Sequence, residues 1–423
     1  MALFKHKALD EAKPKEDATG LLDMPFLLLT VLLLLIGLVM MFSASYARAM
    51  WDTGNPAYYF VRQAIFAVGG LAVMLVVGRL NYFIWYRTAL LILGVSLVLL
   101  ALVPVIGVTV NGAKRWISIA GIRFQPSELA KLGMILSFAA MMAAWQDKME
   151  TFRYGVLPYA LILGLIAGLL ILERHLSATL IIFVIGAFMM LIGGTQKRWF
   201  VIGGLLILEK HLSATMIVFI IGAIMMLLGG TKKRWFVIGG ILILAFLVAY
   251  VSLRGYAGGR IDAWLDPWKD PLGDGYQGIQ SRYAIGSGGF LGLGLGRSRQ
   301  KYLYLPEEHN DYIFAIVCEE LGFVGAVGIL LLFVLLILRG YWIAIHARDR
   351  FGTLVAAGLT TKLAIQVFFN IGVVTGLLPS TGISLPFFSY GGTALLLQLF
   401  EMGVILAVSR WCTNKETLGK AQA

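Results

Sequence analysis

The sequence predicts an all-α polytopic membrane protein, a bundle of about 10 to 12 transmembrane helices with one large extracytoplasmic loop. Three observations predict it. The 423 residues are 59% hydrophobic and only 14% charged, with a mean hydropathy of +0.84, far from a soluble globular composition. Apolar runs that can span a bilayer recur at residues 25–42, 61–78, 88–105, 129–145, 155–172, 176–194, 212–230, 236–253, 312–338, 354–378 and 391–408. Basic residues fall on every second connection: Arg79 and Arg87, Lys148 and Arg153, Arg339, Arg348 and Arg350, then Arg410 and Lys415. Loops rich in Lys and Arg stay inside, so both termini are expected in the cytoplasm. The same pattern explains the net charge of +12 through topology and anionic membrane lipids, and argues against nucleic acid as a partner.

Residues 1–24 form a polar cytoplasmic tail carrying Lys5, Lys7, Lys13 and Lys15, and residues 411–423 form a second tail. The run 25–42 is too long for the apolar part of a cleaved signal peptide, so it is read as a retained first helix. The transmembrane domain then covers 25–410. Its two cysteines, Cys318 and Cys412, are expected near opposite faces, which excludes a disulfide framework. Residues 169–204 and 205–240 are a tandem repeat of 36 residues with seven differences, among them Arg174 against Lys210 and Phe188 against Ile224. Both copies carry Lys-Arg-Trp-Phe, which charge bias keeps inside. The join 199–208 must then return to the outside as a half-helix of about 15 Å or a distorted crossing. Residues 254–311 make the large outer loop, and Trp264, Trp268, Tyr276 and Tyr283 predict that it is ordered.

The candidate chemistry lies at the boundary of a long apolar helix. Glu307, Glu308, His309 and Asp311 stop where that helix begins. A carboxylate here is inexpensive to hydrate and can take a proton at the membrane surface, or it can simply cap a solvated helix N-terminus. Lys114, Arg115 and Arg123 are cations on an outer loop, where topology disfavours them, and fit an anionic ligand. Glu128 and Lys131 share a helix face and can pair, as a ligand site or as an ion pair after Pro126. Glu173-Arg174-His175 and its copy Glu209-Lys210-His211 end apolar runs; their histidines could shuttle protons, but solvated helix ends are the better reading. Lys362, Gln366 and Asn370 make a polar stripe inside a span, which faces either a cavity or structural hydrogen bonds, and Glu401 belongs with them. The glycines of 286–296 lack the strand and the Lys-Ser/Thr of a phosphate loop, so backbone close to substrate or to a membrane helix is the better reading.

Five stretches together resemble one family. They are F-Q-P-S-E-L-A-K-L (124–132), D-P-W-K-D-P-L-G-D-G-Y-Q (266–277), G-L-G-L-G-R-S-R-Q-K-Y-L-Y-L-P-E-E-H-N-D-Y-I-F-A (292–315), E-E-L-G-F-V-G (319–325) and N-I-G-V-V-T-G-L-L-P-S-T-G-I-S-L-P-F-F-S-Y-G-G-T (370–393). The chain resembles the SEDS (shape, elongation, division, sporulation) family of FtsW, RodA and SpoVE, over residues 22–410. Its M-F-S-A-S and N-P-A-Y-Y-F are more like the FtsW/SpoVE branch than RodA.

The resemblance implies a peptidoglycan glycosyltransferase of the bacterial cytoplasmic membrane. Such an enzyme polymerises lipid II onto a polyprenyl-pyrophosphate-linked glycan beside a class B penicillin-binding protein transpeptidase. The family's essential acidic residue maps onto Asp311, its basic motif residues onto Arg115 and Lys131, and its P-x-x-G-x-x-L-P-x-x-S-Y-G-G motif onto Pro379, Gly382, Pro386, Ser389 and Gly391. The expected roles are Asp311 as catalytic base, with Arg115, Lys131, Glu128, Glu307, His309 and Ser389 around the substrate. No tightly bound cofactor and no metal ligand set is expected, and a divalent-cation requirement stays open. The chain departs from the family where Q-P-D-L-G-T is Glu-Arg-His-Leu-Ser-Ala-Thr, and in its duplication, since the family usually has ten helices. A lipid II flippase and a non-catalytic division scaffold are the alternatives.

Overall fold

The computed structural model describes residues 20–110, 113–119, 122–173, 176–195 and 258–412. The apolar runs become helices α1 Met24–Thr53, α2 Tyr58–Arg79 and α3 Phe83–Ile106, then α4 Pro126–Ala144, a short α5 Phe152–Gly155 leading into α6 Leu157–Leu172, and α7 Leu176–Ile192. The outer loop holds α8 Gly258–Leu265 and α9 Tyr276–Gly288, followed by α10 Ile313–His346, α11 Arg350–Val374 and α12 Gly392–Ser409. Eight of the described helical segments are long and apolar enough to cross a membrane, with α7 as a shorter apolar helix beside them. The protein is therefore a multi-pass membrane protein. The runs 212–230 and 236–253, the join 199–208 and the whole second repeat copy lie outside the described residues.

Local signals set the helix starts. Asp23 caps α1, its carboxylate accepting from the Phe26 amide at 2.9 Å, with Pro25 in the first turn. Asp349 caps α11 through the Gly352 amide at 3.0 Å. One end of the bundle is knit by polar contacts. Asp23 also meets Arg339 at 2.7 Å, the Gly20 amide donates to the Arg410 carbonyl, and Arg410 donates to the carbonyl of Arg79. Arg350 donates to the Gly193 carbonyl at the foot of α7. The start of α1 and the ends of α2, α7, α10 and α12 thus share one face, which carries the basic connections.

The opposite end is where the all-α expectation needs an addition. Strands β1 Val108–Val110, β2 Ala113–Ile119 and β3 Ile122–Phe124 form a small antiparallel sheet in the order β1-β2-β3, pairing Val110 with Ala113 and Ile119 with Ile122. The outer loop is ordered, as its aromatics predict: the Trp264 indole donates to the Gly376 carbonyl at 2.8 Å, and the Trp268 and Tyr283 rings pack 6.1 Å apart.

Helices α4, α11 and α12 form the centre, while α2, α3 and α10 turn apolar side chains such as Val68, Leu91 and Leu338 outward, as lipid-facing helices do. The polar stripe is inside: Lys362, Gln366, Asn370 and Glu401 are all buried. Cys318 and Cys412 are both free thiols.

Candidate active site at the outer end of the bundle

The glycine-rich loop and the E-E-L-G motif explain each other. Helix α10 breaks at Gly322, whose φ of 66° is a left-handed conformation that only glycine adopts without strain. The break frees backbone groups, and the loop fills it: Leu293 and Gly294 amides donate to the Glu319 and Glu320 carbonyls at 2.9 and 3.0 Å, and Phe323 donates back to Gly289. Gly292 faces the Glu320 carbonyl with no room for a Cβ.

The side chains of Glu319 and Glu320 then hold the rest of the loop. Glu320 accepts from the Gly296 and Ser298 amides, from Ser43 of α1 and from Lys301 at 2.9 Å, while Glu319 accepts from Ser298, Ser287 and the Arg299 and Gln300 amides. These amides are the ones a phosphate cradle would need. They are filled by the chain's own carboxylates, so the loop is a brace on α10.

That brace delivers the acidic turn. Pro306 to Tyr312 folds against residues 385–391, contrary to the expectation of a solvated cluster: Glu308 and His309 are buried. The Tyr390 amide donates to the His309 carbonyl at 2.9 Å, Ser389 to the Asn310 carbonyl at 2.7 Å, and Asn370 of α11 to the Asp311 carbonyl at 2.7 Å. The His309 ring stacks on Tyr59 of α2 and its Nδ1 lies 3.6 Å from Glu308. Glu307 accepts from the Asn310 amide side chain. Gln63 of α2 clamps the same segment through the Ser389 carbonyl and the Gly391 amide.

Asp311 does not cap α10. The cap position is Tyr312, with no side-chain cap bond, which removes the capping reading. The half-buried carboxylate faces Gly382, where a Cβ would stand 3.2 Å from Asp311 Oδ2 and where φ is 65°. Burial and then the Glu307 carboxylate push the Asp311 carboxyl up to about 7, against the pull of Arg115 and His309.

Of the three outer cations, Lys114 donates to the Pro104 and Val105 carbonyls and so closes the end of α3. Arg123 contributes its carbonyl as an acceptor for Thr393. Arg115 acts electrostatically on Asp311. Below this layer Glu128 lies 2.5 Å from Lys131 and 3.4 Å from Lys362, and Lys362 lies 2.5 Å from Glu401. The expected Glu128–Lys131 pair forms, but inside the bundle and as part of a four-charge cluster joining α4, α11 and α12. A cavity of about 40 Å³, room for one to three waters, lies between Glu128, Gln366, Gln398 and the Ser389–Gly391 segment. Ser389, expected near substrate, both donates to Asn310 and accepts from the Leu385 amide. Among the described residues, no group of three or more His, Cys, Asp or Glu side chains is placed to hold a metal ion.

The sequence matches the family profile described as cell cycle protein, for FtsW, RodA and SpoVE, over residues 24–204 and 195–414. The chain belongs to this family. The two overlapping pieces are what a chain with one family segment present twice would give. Among its relatives are the stage V sporulation protein E of Bacillus subtilis (strain 168), 40% identical over 92% of this chain and 97% of the relative. Another is the probable peptidoglycan glycosyltransferase FtsW of Geobacter metallireducens (strain ATCC 53774 / DSM 7210 / GS-15), 38% identical over 92% and 94%.

Among solved structures, a chain from a peptidoglycan synthase complex that coordinates polymerization and crosslinking is similar with a TM-score of 0.68 and 27% identity, covering 92% of this chain and 98% of that one. A mutant of the rod shape determining protein RodA of Thermus thermophilus has a TM-score of 0.61 at 25% identity, over 93% and 99%. For this SEDS chain, residue-by-residue reading missed Tyr59, Gln63 and Lys301: Tyr59 and Lys301 lie inside stretches quoted for the resemblance but were given no role, and Gln63 lies in none of them. It also misplaced Glu173, which is 4% exposed and not a solvated helix end; Arg174, His175 and the copy 209–211 lie outside the described residues.

Proposed function

We infer that this chain is a peptidoglycan glycosyltransferase that polymerises lipid II into glycan strands. The observation that carries the reading is the Asp311 turn: a carboxyl with its pKa near 7, at the outer end of the bundle, fixed by three hydrogen bonds to its own and adjacent backbone, beside Arg115. A base titrating near the working pH combines an ionised population with useful proton affinity.

In the proposed reaction the 4-hydroxyl oxygen of the lipid II N-acetylglucosamine attacks the anomeric carbon of the growing strand. The new C–O bond forms as the bond to the polyprenyl diphosphate breaks, with inversion. The hydroxyl proton passes to Asp311, and the electron pair of the broken bond leaves on the diphosphate. Arg115 meets that developing charge, and Lys131 supports it from below. Glu128, Glu307 and His309 act around the substrate by setting the charge of these groups, and Ser389 by holding the turn. No resident cofactor is needed for this displacement.

The positive-inside pattern supports placing Asp311 on the outer face of the cytoplasmic membrane and both termini in the cytoplasm. A class B penicillin-binding protein transpeptidase fits as partner, since the similar structure comes from a complex described as coupling polymerization to crosslinking. A flippase is not favoured, because Lys362 is paired with Glu401 and Glu128, and Asn370 holds the Asp311 and Ile383 carbonyls.

The test is polymerisation of labelled lipid II by purified Asp311→Asn protein. The expected loss is about 10²–10⁴ in rate; a near-normal rate removes Asp311 from the base role.

A further inference from the structure

A cleft of about 320 Å³ opens on the outer loop beside the Asp311 turn, between Leu272, Asp274, Tyr276, Gln277, Pro306 and Ser380. Small-ligand pockets run from about 300 to 1,000 Å³. The turn that forms one wall is fixed. The Asp270 carboxylate accepts from the Gly273 and Asp274 amides at 3.1 Å each, and Gly275 lies against the Pro267 carbonyl with no room for a Cβ. The Gln277 side chain donates to the Pro306 carbonyl at 3.2 Å, which joins this wall to the acidic turn. At the rim, Leu272 and Ser380 are exposed, so the cleft opens to the outer solution.

Two chain segments lead from the cleft to the reacting carboxyl. Pro306 begins the turn that ends in Asp311. Ser380 is two residues, at most about 7 Å of chain, from the Gly382 that faces Asp311 Oδ2. The lining decides what can occupy the space. Asp274 is the one charged side chain among the described lining residues, and a diphosphate needs cations, so the cleft does not suit one. A carboxylate, an amide, a hydroxyl and the aromatic ring of Tyr276 suit a neutral sugar, whose hydroxyls need donors and acceptors and whose C–H face packs on a ring. In the proposed reaction both lipid diphosphates stay at the membrane. Only the growing strand runs outward, sugar after sugar, from the carbon under attack.

We propose that this cleft is a subsite for neutral N-acetylhexosamine units of the growing strand, holding the strand while the next lipid II enters beside Asp311. This deepens the reading of Asp311 as base and rests on it. A strand held there stays on the enzyme between additions, so chains grow long before release. A donor of four sugars also fills more of the cleft than the disaccharide of lipid II, and is used in preference to it.

The experiment gives the purified full chain labelled lipid II and measures product length at equal lipid II consumption. A second arm offers a diphosphate-linked tetrasaccharide in competition with lipid II as donor. Ser380→Trp fills the cleft from an exposed position, and Tyr276→Ala removes its ring. Both are expected to shorten the mean product about three- to tenfold, as loss of one well-packed contact gives, and to abolish the native preference for the longer donor. Length and donor choice are ratios taken on one protein, so a general loss of rate does not move them, and thermal unfolding shows that each variant folds. Should Tyr276→Ala fail to fold, Ser380→Trp decides alone. A native protein indifferent to donor length, or products of native length from Ser380→Trp, overturns the proposal. Failure of the Asp311 reading looks different: Asp311→Asn would then polymerise at a near-normal rate, whatever the length of its products.

Discussion

Glu307 raises the Asp311 carboxyl, and it is the second cause after burial. Its backbone holds φ at 56°, a conformation unusual for a residue with a side chain, and its carboxylate accepts from Asn310 within the same turn. The strain is explained if the position needs this charge next to Asp311. The sign follows directly. Removing a neighbouring negative charge favours ionisation of Asp311, so its pKa falls and the base form persists to lower pH. Glu307→Gln is expected to shift the acidic limb of the polymerisation profile downward, raising the rate at pH 6, relative to each protein's own plateau, by roughly two- to threefold. The amide retains an oxygen for Asn310, which separates the charge effect from loss of the turn. An unmoved acidic limb would mean that the limb does not report Asp311.

At the scale of elements, the central helices α4, α11 and α12 are joined by charges that alternate in space: Lys131, Glu128, Lys362, Glu401. Glu401 is 0% exposed and Lys362 is 1% exposed, so each needs the other. Lys362→Met leaves Glu401 buried without its cation and is expected to destabilise by about 3–5 kcal/mol, read as a lower midpoint of thermal unfolding in detergent. Lys362→Met combined with Glu401→Met removes both charges and is expected to recover most of the loss, Glu128 keeping Lys131.

The sequence showed this arrangement only in part. Period and polarity put Lys362, Gln366, Asn370 and Glu401 inside, because a charge in an apolar span has nowhere else to go. They could not say which charges meet, since pairing across α4, α11 and α12 depends on packing. The outer sheet was legible in principle: Asn-Gly lies between Val110 and Ala113 in an alternating stretch, a hairpin signal hidden by reading the segment as a connection. Asp311 was singled out by its place before an apolar helix and by motif, whereas burial of Glu173 has no local trace, because a lone Glu after an apolar run reads as a hydrated end.

For the whole molecule the tandem repeat is the feature to explain. The first copy supplies α7, which packs on α4, α6 and α11. The described residues on either side of the gap lie at opposite ends of the bundle. Thr195 donates to Gly155 at the basic end, and Trp264 is anchored on Gly376 at the Asp311 end. Excising residues 205–240 would join Gly204 to Ile241 and create an apolar run of 17 residues, Trp199 to Gly204 and then Ile241 to Val251, just after Lys197 and Arg198. That length can cross once with bilayer adjustment, and the positive-inside bias would hold its basic flank in the cytoplasm. The two copies differ at seven positions, all but one of them conservative apolar or basic exchanges, so excising 169–204 instead yields nearly the same protein. Both excised chains are expected to insert with the outer loop unchanged in orientation and to polymerise lipid II. The check is labelling of Asp274→Cys by a membrane-impermeant thiol reagent from outside, in the parent and in each excised chain, alongside the polymerisation rate. Labelling from outside in the parent alone would mean that the second copy is needed to return the chain to the Asp311 side. The duplication would then be part of how this chain crosses the membrane, and the ten helices that the family resemblance implies would not describe it.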